Sequence, residues 1–326
     1  MRLLKLVPDD TNIDFLQWRK VASFMSFFLV VVSIALVAVK GLNLGVDFVG
    51  GQSVRVEFKQ EMPPIDEIRE KVATIGLGEP TIQQFGSDKA ISIRTALPEG
   101  DKATADRAGE QLVAGIAKAF PTAKTGAVET VSGKVSGELL RTGAISLALA
   151  ILGISIYIWI RFEWQFGVGA LGRLFHEVSL TFGLFAVTQM QFDLNSVAAL
   201  LTIVGYSLND TIVVYDRIRE NLKKYRKMEI IPLLNLSINE TLSRTVMTTL
   251  AMVLALGMLL IFGPDVIFGF TAAMLFGVFI GGYSSVLMST PVLVWLKVGP
   301  DRFVPRTTSG IGGGERIERK DDGAVV

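Results

Sequence analysis

Six long apolar runs constrain the fold of this chain more than any other feature of its sequence. An α-helix needs about 20 apolar residues to cross a bilayer. The runs lie at 21–39, 142–160, 166–187, 194–215, 245–263 and 266–296. The first run is longer than the apolar core of a cleaved signal peptide and lacks a cleavage site, and Pro291 predicts a kink in the last. The sequence therefore predicts an integral membrane protein with six transmembrane helices.

Composition supports a membrane protein and excludes several kinds of site. Hydrophobic residues make up 50% of the chain and charged residues 19%, against about 25% charged in an average soluble domain. The absence of cysteine excludes disulfides, thiolate metal sites and cysteine nucleophiles, and a single histidine leaves little for metal chemistry. The net charge of +1 argues against a nucleic-acid partner. We expect no metal and no cofactor.

The distribution of lysine and arginine between the short connections predicts the orientation. Basic flanks stay on the cytoplasmic side of a membrane. The connections 188–193 and 264–265 contain no basic residue, whereas the other short segments are rich in them. These residues are Arg2, Lys5, Arg19, Lys20, Arg161, Arg217, Arg219, Lys223, Lys224, Arg226, Lys227, Lys297, Arg302, Arg306, Arg316, Arg319 and Lys320. Both termini are therefore expected in the cytoplasm, in a segment 1–20 and a disordered tail 297–326.

The same orientation places the long connection 40–141 on the outer side of the membrane, as a periplasmic domain. Alternation of β-formers predicts strands at 53–58, 81–85, 90–95 and 127–131, and helical spacing predicts helices at 64–75 and 101–120. The order βαββαβ predicts a ferredoxin-like α+β domain. The rest of the membrane domain spans 142–296, with a cytoplasmic loop at 216–244.

Asp210 is the first candidate functional residue, because it lies inside the fourth run. It precedes Asp216, at the expected cytoplasmic boundary, by six residues, which is roughly 9 Å along a helix. A carboxylate at that depth is costly and usually belongs to a proton or ion pathway. Arg244, at the start of the fifth run, could approach Asp210 and stabilise its charge. A simple anchor at the membrane surface explains Arg244 equally well.

Three charged or titratable residues interrupt the third run. Arg173 and Glu177 are four residues apart, so they share a helix face and can neutralise each other. The spacing leaves open whether they form a structural pair or part of a proton relay. His176 titrates near neutral pH, but a lone histidine is more often simply hydrogen-bonded.

Small residues recur every four positions in the sixth run, beginning with Gly269, Ala273, Gly277 and Gly281. Such a stripe lets two helices approach closely, either within this chain or with a partner subunit. Elsewhere, the sequence around Gly133 superficially resembles a phosphate-binding loop but lacks its glycine spacing and its Ser or Thr. No motif pairs a nucleophile with a base, so we do not expect an enzyme.

Taken together, several segments resemble the SecF family of bacterial protein-export membrane proteins. They are 41–51, 205–210, 216–221 and 242–245. The resemblance covers nearly the whole chain apart from the tail. It implies an RND-type bundle in the bacterial inner membrane and a complex with SecD, beside the SecYEG channel and in many bacteria YajC. It also implies that Asp210 and Arg244 couple protons to the movement of unfolded exported polypeptides. One departure is that His176-Glu177 replaces the common His-Asp.

Two other functions fit the same helices. RND-type antiporters exchange protons for small solutes, although they usually carry about twice as many spans as this chain. A purely structural scaffold for a translocase would need Asp210 and Arg244 only to fix the register of its helices. The partners found with the protein in native membranes would separate these alternatives.

Overall fold

The computed structural model describes residues 8, 11–85, 87–98 and 102–299. Within these residues, six helical segments are long and apolar enough to cross a membrane, at Phe15–Lys40, Gly133–Arg161, Trp164–Thr188, Leu194–Lys224, Ile230–Phe262 and Phe268–Trp295. The corresponding helices are α1 (Arg19–Lys40), α5 (Gly133–Arg161), α6 (Trp164–Thr188), α7 (Leu194–Lys224), α8 (Ile230–Phe262), α9 (Phe268–Leu287) and α10 (Ser289–Trp295). Each of the six predicted runs falls on one segment; the fifth run extends past the end of its segment at Phe262, and the sixth extends past both ends of Phe268–Trp295. The tail 300–326 lies outside the described residues.

The helices form an inner and an outer group. In the most apolar stretch of α6, 61% of the residues are buried, and in the α7 and α9–α10 segments 50%, against 17%, 6% and 11% in the α1, α5 and α8 segments. The peripheral helices α1, α5 and α8 expose Phe24, Phe27, Leu149 and Leu254, whose apolar side chains suit a lipid environment. The inner helices therefore hold the polar groups that lipid would disfavour.

The connection predicted as a loop at 216–244 is mostly helical. Helix α7 continues to Lys224 and α8 begins at Ile230, because Leu222, Leu233 and Ile238 are buried in one cluster. The chain before α1 also packs here, where Ile13 N donates to Asn239 Oδ1 at 2.9 Å. The long helices hence extend beyond the apolar runs that revealed them.

The sixth span is broken at Met288, which separates α9 from α10. Pro291 lies three residues beyond the break and lacks the N–H that would continue the helical hydrogen bonds. The helix is therefore interrupted close to the residue at which the sequence predicts a kink.

Between the first two spans lies a four-stranded antiparallel sheet. The elements follow in the order α2 (Val46–Val49), β1 (Gly51–Phe58), α3 (Ile65–Ala73), β2 (Thr81–Phe85), β3 (Ser87–Thr95), α4 (Lys102–Ala119) and β4 (Ala123–Val131). The strand order across the sheet is β2-β3-β1-β4. Alternate β1 residues such as Val54 and Val56 are buried with Ile68 of α3 and Leu112 of α4, so both helices cover one face.

Candidate functional site

Asp210 lies within α7, where its side chain is half-buried. Thr245 of α8 donates a hydrogen bond from Oγ1 to Asp210 Oδ1 at 3.0 Å. Among the residues that the structure describes, no salt bridge involves Asp210. A carboxylate inside a transmembrane helix thus has one neutral donor and no cationic partner.

Arg244 directly precedes Thr245 on α8, but its side chain is exposed. The described part of the chain contains no salt bridge between Arg244 and Asp210 within 4.0 Å. The structure therefore brings Asp210 together with Thr245 and leaves Arg244 apart. Thr245 was not predicted as a partner of Asp210, because a threonine in an apolar helix carries no distinctive signal.

Arg173 is the centre of a buried polar cluster formed by α6, α7 and α9. Only 1% of its surface is exposed. Its Nε donates to Glu177 Oε1 at 2.9 Å and to Ser284 Oγ at 3.0 Å. Its two terminal nitrogens donate to Ser207 O at 3.0 Å, to Thr211 Oγ1 and to Gly281 O at 2.7 Å. One guanidinium therefore joins three helices, and we call Arg173 with these acceptors the arginine cluster.

Glu177 supplies the opposite charge of the arginine cluster and is also 1% exposed. Ser284 Oγ donates a second hydrogen bond to Glu177 Oε1. Removing two charges from water is expensive and is offset only by close pairing and additional hydrogen bonds. The cluster meets both conditions for Arg173, whereas Glu177 Oε2 has no hydrogen-bond partner in the described chain. Arg173 and Glu177 therefore form a buried ion pair.

His176 contacts Tyr283 of α9. Its Nε2 lies 2.9 Å from Tyr283 Oη, and the two rings meet edge to face at 87°. Nδ1 is buried without a hydrogen-bond partner among the described residues. The structure therefore ties His176 to α9 and does not join it to Asp210.

The small-residue stripe of α9 packs within this chain. A Cβ atom at Gly277 would lie 2.5 Å from Ile203 Cγ1 of α7, far inside a normal contact. A Cβ atom at Gly281 would lie 3.6 Å from Arg173 Nη2. Ala273 is fully buried, and Gly269 lies toward the outer end, near Gln191 O. The stripe brings α9 close enough for its backbone to bind Arg173.

At the N-terminal end of α7, on the side that the sequence predicts to be periplasmic, the chain after α1 packs against the turn between α6 and α7. Gly45 N donates to Phe192 O at 2.9 Å, and Phe192 N donates to Asn43 O at 2.7 Å. Asp47 Oδ2 accepts from Leu194 N, the first residue of α7, at 3.0 Å. This outer clamp, residues 41–50 with 189–194, links the sheet directly to the helix that carries Asp210. The sequence did not single out Asp47, because an aspartate in a glycine-rich segment resembles a turn residue.

Glu129 of β4 is affected by the acids of the outer clamp. Burial raises the pKa of its carboxyl group, Arg55 at 3.6 Å lowers it, and the charges of Asp47 and Asp193 raise it again. The side chain is still 47% exposed, so solvent screens these effects. Burial is thus the largest cause of the raised pKa of Glu129, and the two aspartates act in the same direction.

With the geometry established, two family models match the chain. Residues 112–299, more than half of the chain, match the C-terminal region of the protein export membrane proteins SecD and SecF. Residues 35–62 match the SecD/SecF GG motif. The chain belongs to the SecF family. The resemblance seen in the sequence is confirmed, and the GG motif includes α2, all of β1 and residues 41–50 of the outer clamp.

Three similar SecF proteins align with this chain over almost their full length. The chain is 43% identical to the protein translocase subunit SecF of Cereibacter sphaeroides, over 95% of this chain and 96% of that protein. It is 45% identical to SecF of Rhodobacter capsulatus, over 92% of each, and 38% identical to SecF of Rickettsia akari, over 89% and 94%.

Solved structures of SecDF, a translocon-associated membrane protein, share the fold. The Thermus thermophilus structure aligns with a TM-score of 0.79 and 30% identity, over 89% of this chain and 39% of that one. SecDF in its super-membrane-facing form aligns with a TM-score of 0.62 and 29% identity, over 91% and 40%. This chain thus spans about two fifths of the SecDF chains that it matches.

Proposed function

We propose that this chain is a SecF-like subunit that works with SecD in the inner membrane and uses the proton-motive force to help exported polypeptides across. The observation that carries the proposal is Asp210, a half-buried carboxylate in a transmembrane helix whose partner is a neutral threonine. The full-length similarity to SecF proteins supports the role in export. We propose a transport role without catalysis.

Proton binding at Asp210 can drive a change in packing because the charged and neutral forms need different surroundings. An unpaired carboxylate in the middle of a membrane costs at least about 2.5–3.5 kcal/mol. The hydroxyl of Thr245 is uncharged, so its hydrogen bond stabilises an ionised Asp210 less than a cation would. A membrane potential of 100 mV supplies about 2.3 kcal/mol for each charge that crosses, which is comparable in size.

Arg244 is the proposed partner of the charged form. Neighbouring residues on an α-helix point about 100° apart. A rotation of α8 about its own axis would therefore exchange the hydroxyl of Thr245 for the guanidinium of Arg244 beside Asp210. Such a pair would stabilise the ionised carboxylate and couple its proton to the position of α8.

The exposed face of α7 supports the partnership with SecD. This face carries Asn195, Ala198, Thr202, Gly205 and Asn209, which are small or polar and follow each other at intervals of three or four residues. Small and polar residues are typical of helix–helix contacts in membranes rather than of lipid contacts. SecDF chains carry about three fifths of their length beyond the part matched here. We propose that SecD covers this face and shields Asp210.

The sheet is the proposed periplasmic domain. Its βαββαβ order and its strand order are those of a ferredoxin-like domain, and the basic connections support an outer position with both termini in the cytoplasm. The outer clamp would transmit a shift of α7 to this domain. The SecYEG channel, YajC and the exported polypeptides are the further partners that this role implies.

The test is proton-driven export in vesicles that contain this chain with its SecD partner. Asp210→Asn should abolish the stimulation of export by a proton gradient, because the amide cannot exchange a proton. Asp210→Glu keeps the charge and should retain part of it. Asp216→Asn is the matched control, because Asp216 binds Arg161 at the cytoplasmic end of the same helix. If Asp210→Asn exports like the parent, the chain is a structural scaffold and the proposal fails.

A further inference from the structure

Strand β4 is an uncovered edge of the sheet. It pairs with β1 on one side, and within the described chain no strand pairs with its other side. Proteins usually protect such an edge, because its free N–H and C=O groups can pair with another chain. A register shift between Val54 and Val56 distorts the pairing opposite Gly126 and Ala127. Residues 128–131 are therefore the longer of its two regularly paired stretches.

A groove of about 580 Å³ runs between this edge and α4. Its lining is small and apolar on the helix side, with Ala105, Gly109, Val113 and Ala114, while Val128 and Thr130 contribute from the strand. Asp106 and Glu110 stand exposed on its rim. The groove accordingly offers an open strand edge, an apolar wall and an acidic rim side by side.

Both walls of the groove are fixed. A Cβ atom at Gly109 would lie 3.3 Å from Val128 Cγ1, so the helix and strand touch at the floor. Gln52 of β1 donates from Nε2 to Ala105 O of α4, which is a buried hydrogen bond. A preformed groove of this kind needs little rearrangement when a ligand enters.

We propose that the groove between α4 and β4 binds an extended segment of an exported polypeptide, which adds to the sheet as a fifth strand beside 128–131. Strand addition takes its affinity from main-chain hydrogen bonds, which every polypeptide can form. Four paired residues span about 13 Å. The small lining residues accept different side chains, and the acidic rim favours basic or uncharged segments. The inference rests on the proposed role in export.

Site-specific photo-crosslinking tests the occupant in the full complex. A photoreactive residue at Thr130, exposed on β4, should crosslink to a translocation intermediate held in the SecYEG channel. The same residue at Thr81, exposed on the opposite edge strand β2, should not. Crosslinking from Thr130 to SecD instead would mean that the partner subunit covers the edge, and no crosslink would mean that the edge is unused. Either result overturns the proposal.

Filling the groove with a large side chain tests the proposed binding site without changing Asp210. Ala114→Trp places a large side chain in the groove, and Ala117→Trp places the same side chain on an exposed position of α4 that does not line it. The first should reduce the Thr130 crosslink by about tenfold, and the second should leave it unchanged. Equal crosslinking in both variants would show that the groove is not the binding site, which overturns the proposal. If the parent complex gives no proton-driven export, the proposed function itself fails, whatever the crosslinks show.

Discussion

Two charged groups inside the membrane bundle differ in how they are held. Arg173 is buried and donates to five acceptors on three helices, with Glu177 as its counter-charge. Asp210 is half-buried and accepts one side-chain hydrogen bond, from Thr245. The two are close in the fold, because Thr211 follows Asp210 directly. Burial of a charge alone therefore does not indicate a switch. We propose that the arginine cluster, in which Arg173 has five acceptors, fixes the bundle, whereas Asp210, with one side-chain hydrogen bond, can change its partner.

The largest effect is expected from breaking the arginine cluster on one side. Arg173→Met leaves Glu177 buried without its counter-charge, which typically costs about 3–5 kcal/mol. Thermal unfolding of the purified chain in detergent should show the loss. The double change Arg173→Met with Glu177→Leu removes both charges and should recover most of it. If the double variant is no more stable than the single one, the cluster is not a simple ion pair and Glu177 needs another role.

Sequence and structure agree on the arginine cluster only in part. The four-residue spacing of Arg173 and Glu177 was enough to predict that they meet, because it depends on one helix. Ser284, Ser207 O and Gly281 O come from two other helices, and no local pattern reveals contacts across 34 or 111 positions of sequence. The same reason explains why Thr245 was missed as the partner of Asp210.

The fold was more predictable than the site, because hydropathy and alternation are local signals. All six spans and the strand-helix order of the outer segment follow from them. The helical extension of α8 to Ile230 was missed because its polar face masks the periodic burial of Leu233 and Ile238. The outer clamp was missed because two of its hydrogen bonds join only backbone atoms. Any sequence can supply such atoms, so no residue pattern reveals these bonds.

A medium effect is expected where α9 touches α7. Gly277→Ala places a Cβ atom 2.5 Å from Ile203, and such overpacking typically costs about 1–3 kcal/mol. Gly257→Ala on α8 is the control, because nothing lies within 4 Å of the added atom and alanine favours the helix. Unfolding in detergent measures both. Equal stability of the two variants would show that α9 can move away from α7 freely. The arginine cluster, which joins these two helices, would then not fix their packing.

A smaller effect is expected at Asp210, the charged group with the fewer hydrogen bonds. Thr245→Val removes the hydroxyl that binds Asp210 and should cost about 0.5–1.5 kcal/mol of stability. Thr245→Ser keeps the hydroxyl and should restore most of it. In Asp210→Asn the carboxamide oxygen can still accept, so the valine change should cost a similar amount there. A loss as large as that of Arg173→Met would mean that Asp210 belongs to the fixed part of the bundle.

The smallest effect concerns Glu129, next to the outer clamp. Because burial and the nearby acids raise its pKa, the folded chain binds this proton more tightly than the unfolded chain. Below the ordinary glutamate pKa of about 4.3, Glu129 is protonated in both the folded and the unfolded chain, and its charge does not affect stability. As the pH rises through the pKa of Glu129 in the folded chain, ionisation lowers stability. Glu129→Gln should raise the unfolding temperature slightly at pH 8 and leave it unchanged at pH 3.5. Thr130→Ala, an uncharged neighbour, should give a difference that does not vary with pH. A gain for Glu129→Gln that persists at pH 3.5 would assign the effect to packing rather than to the charge of Glu129.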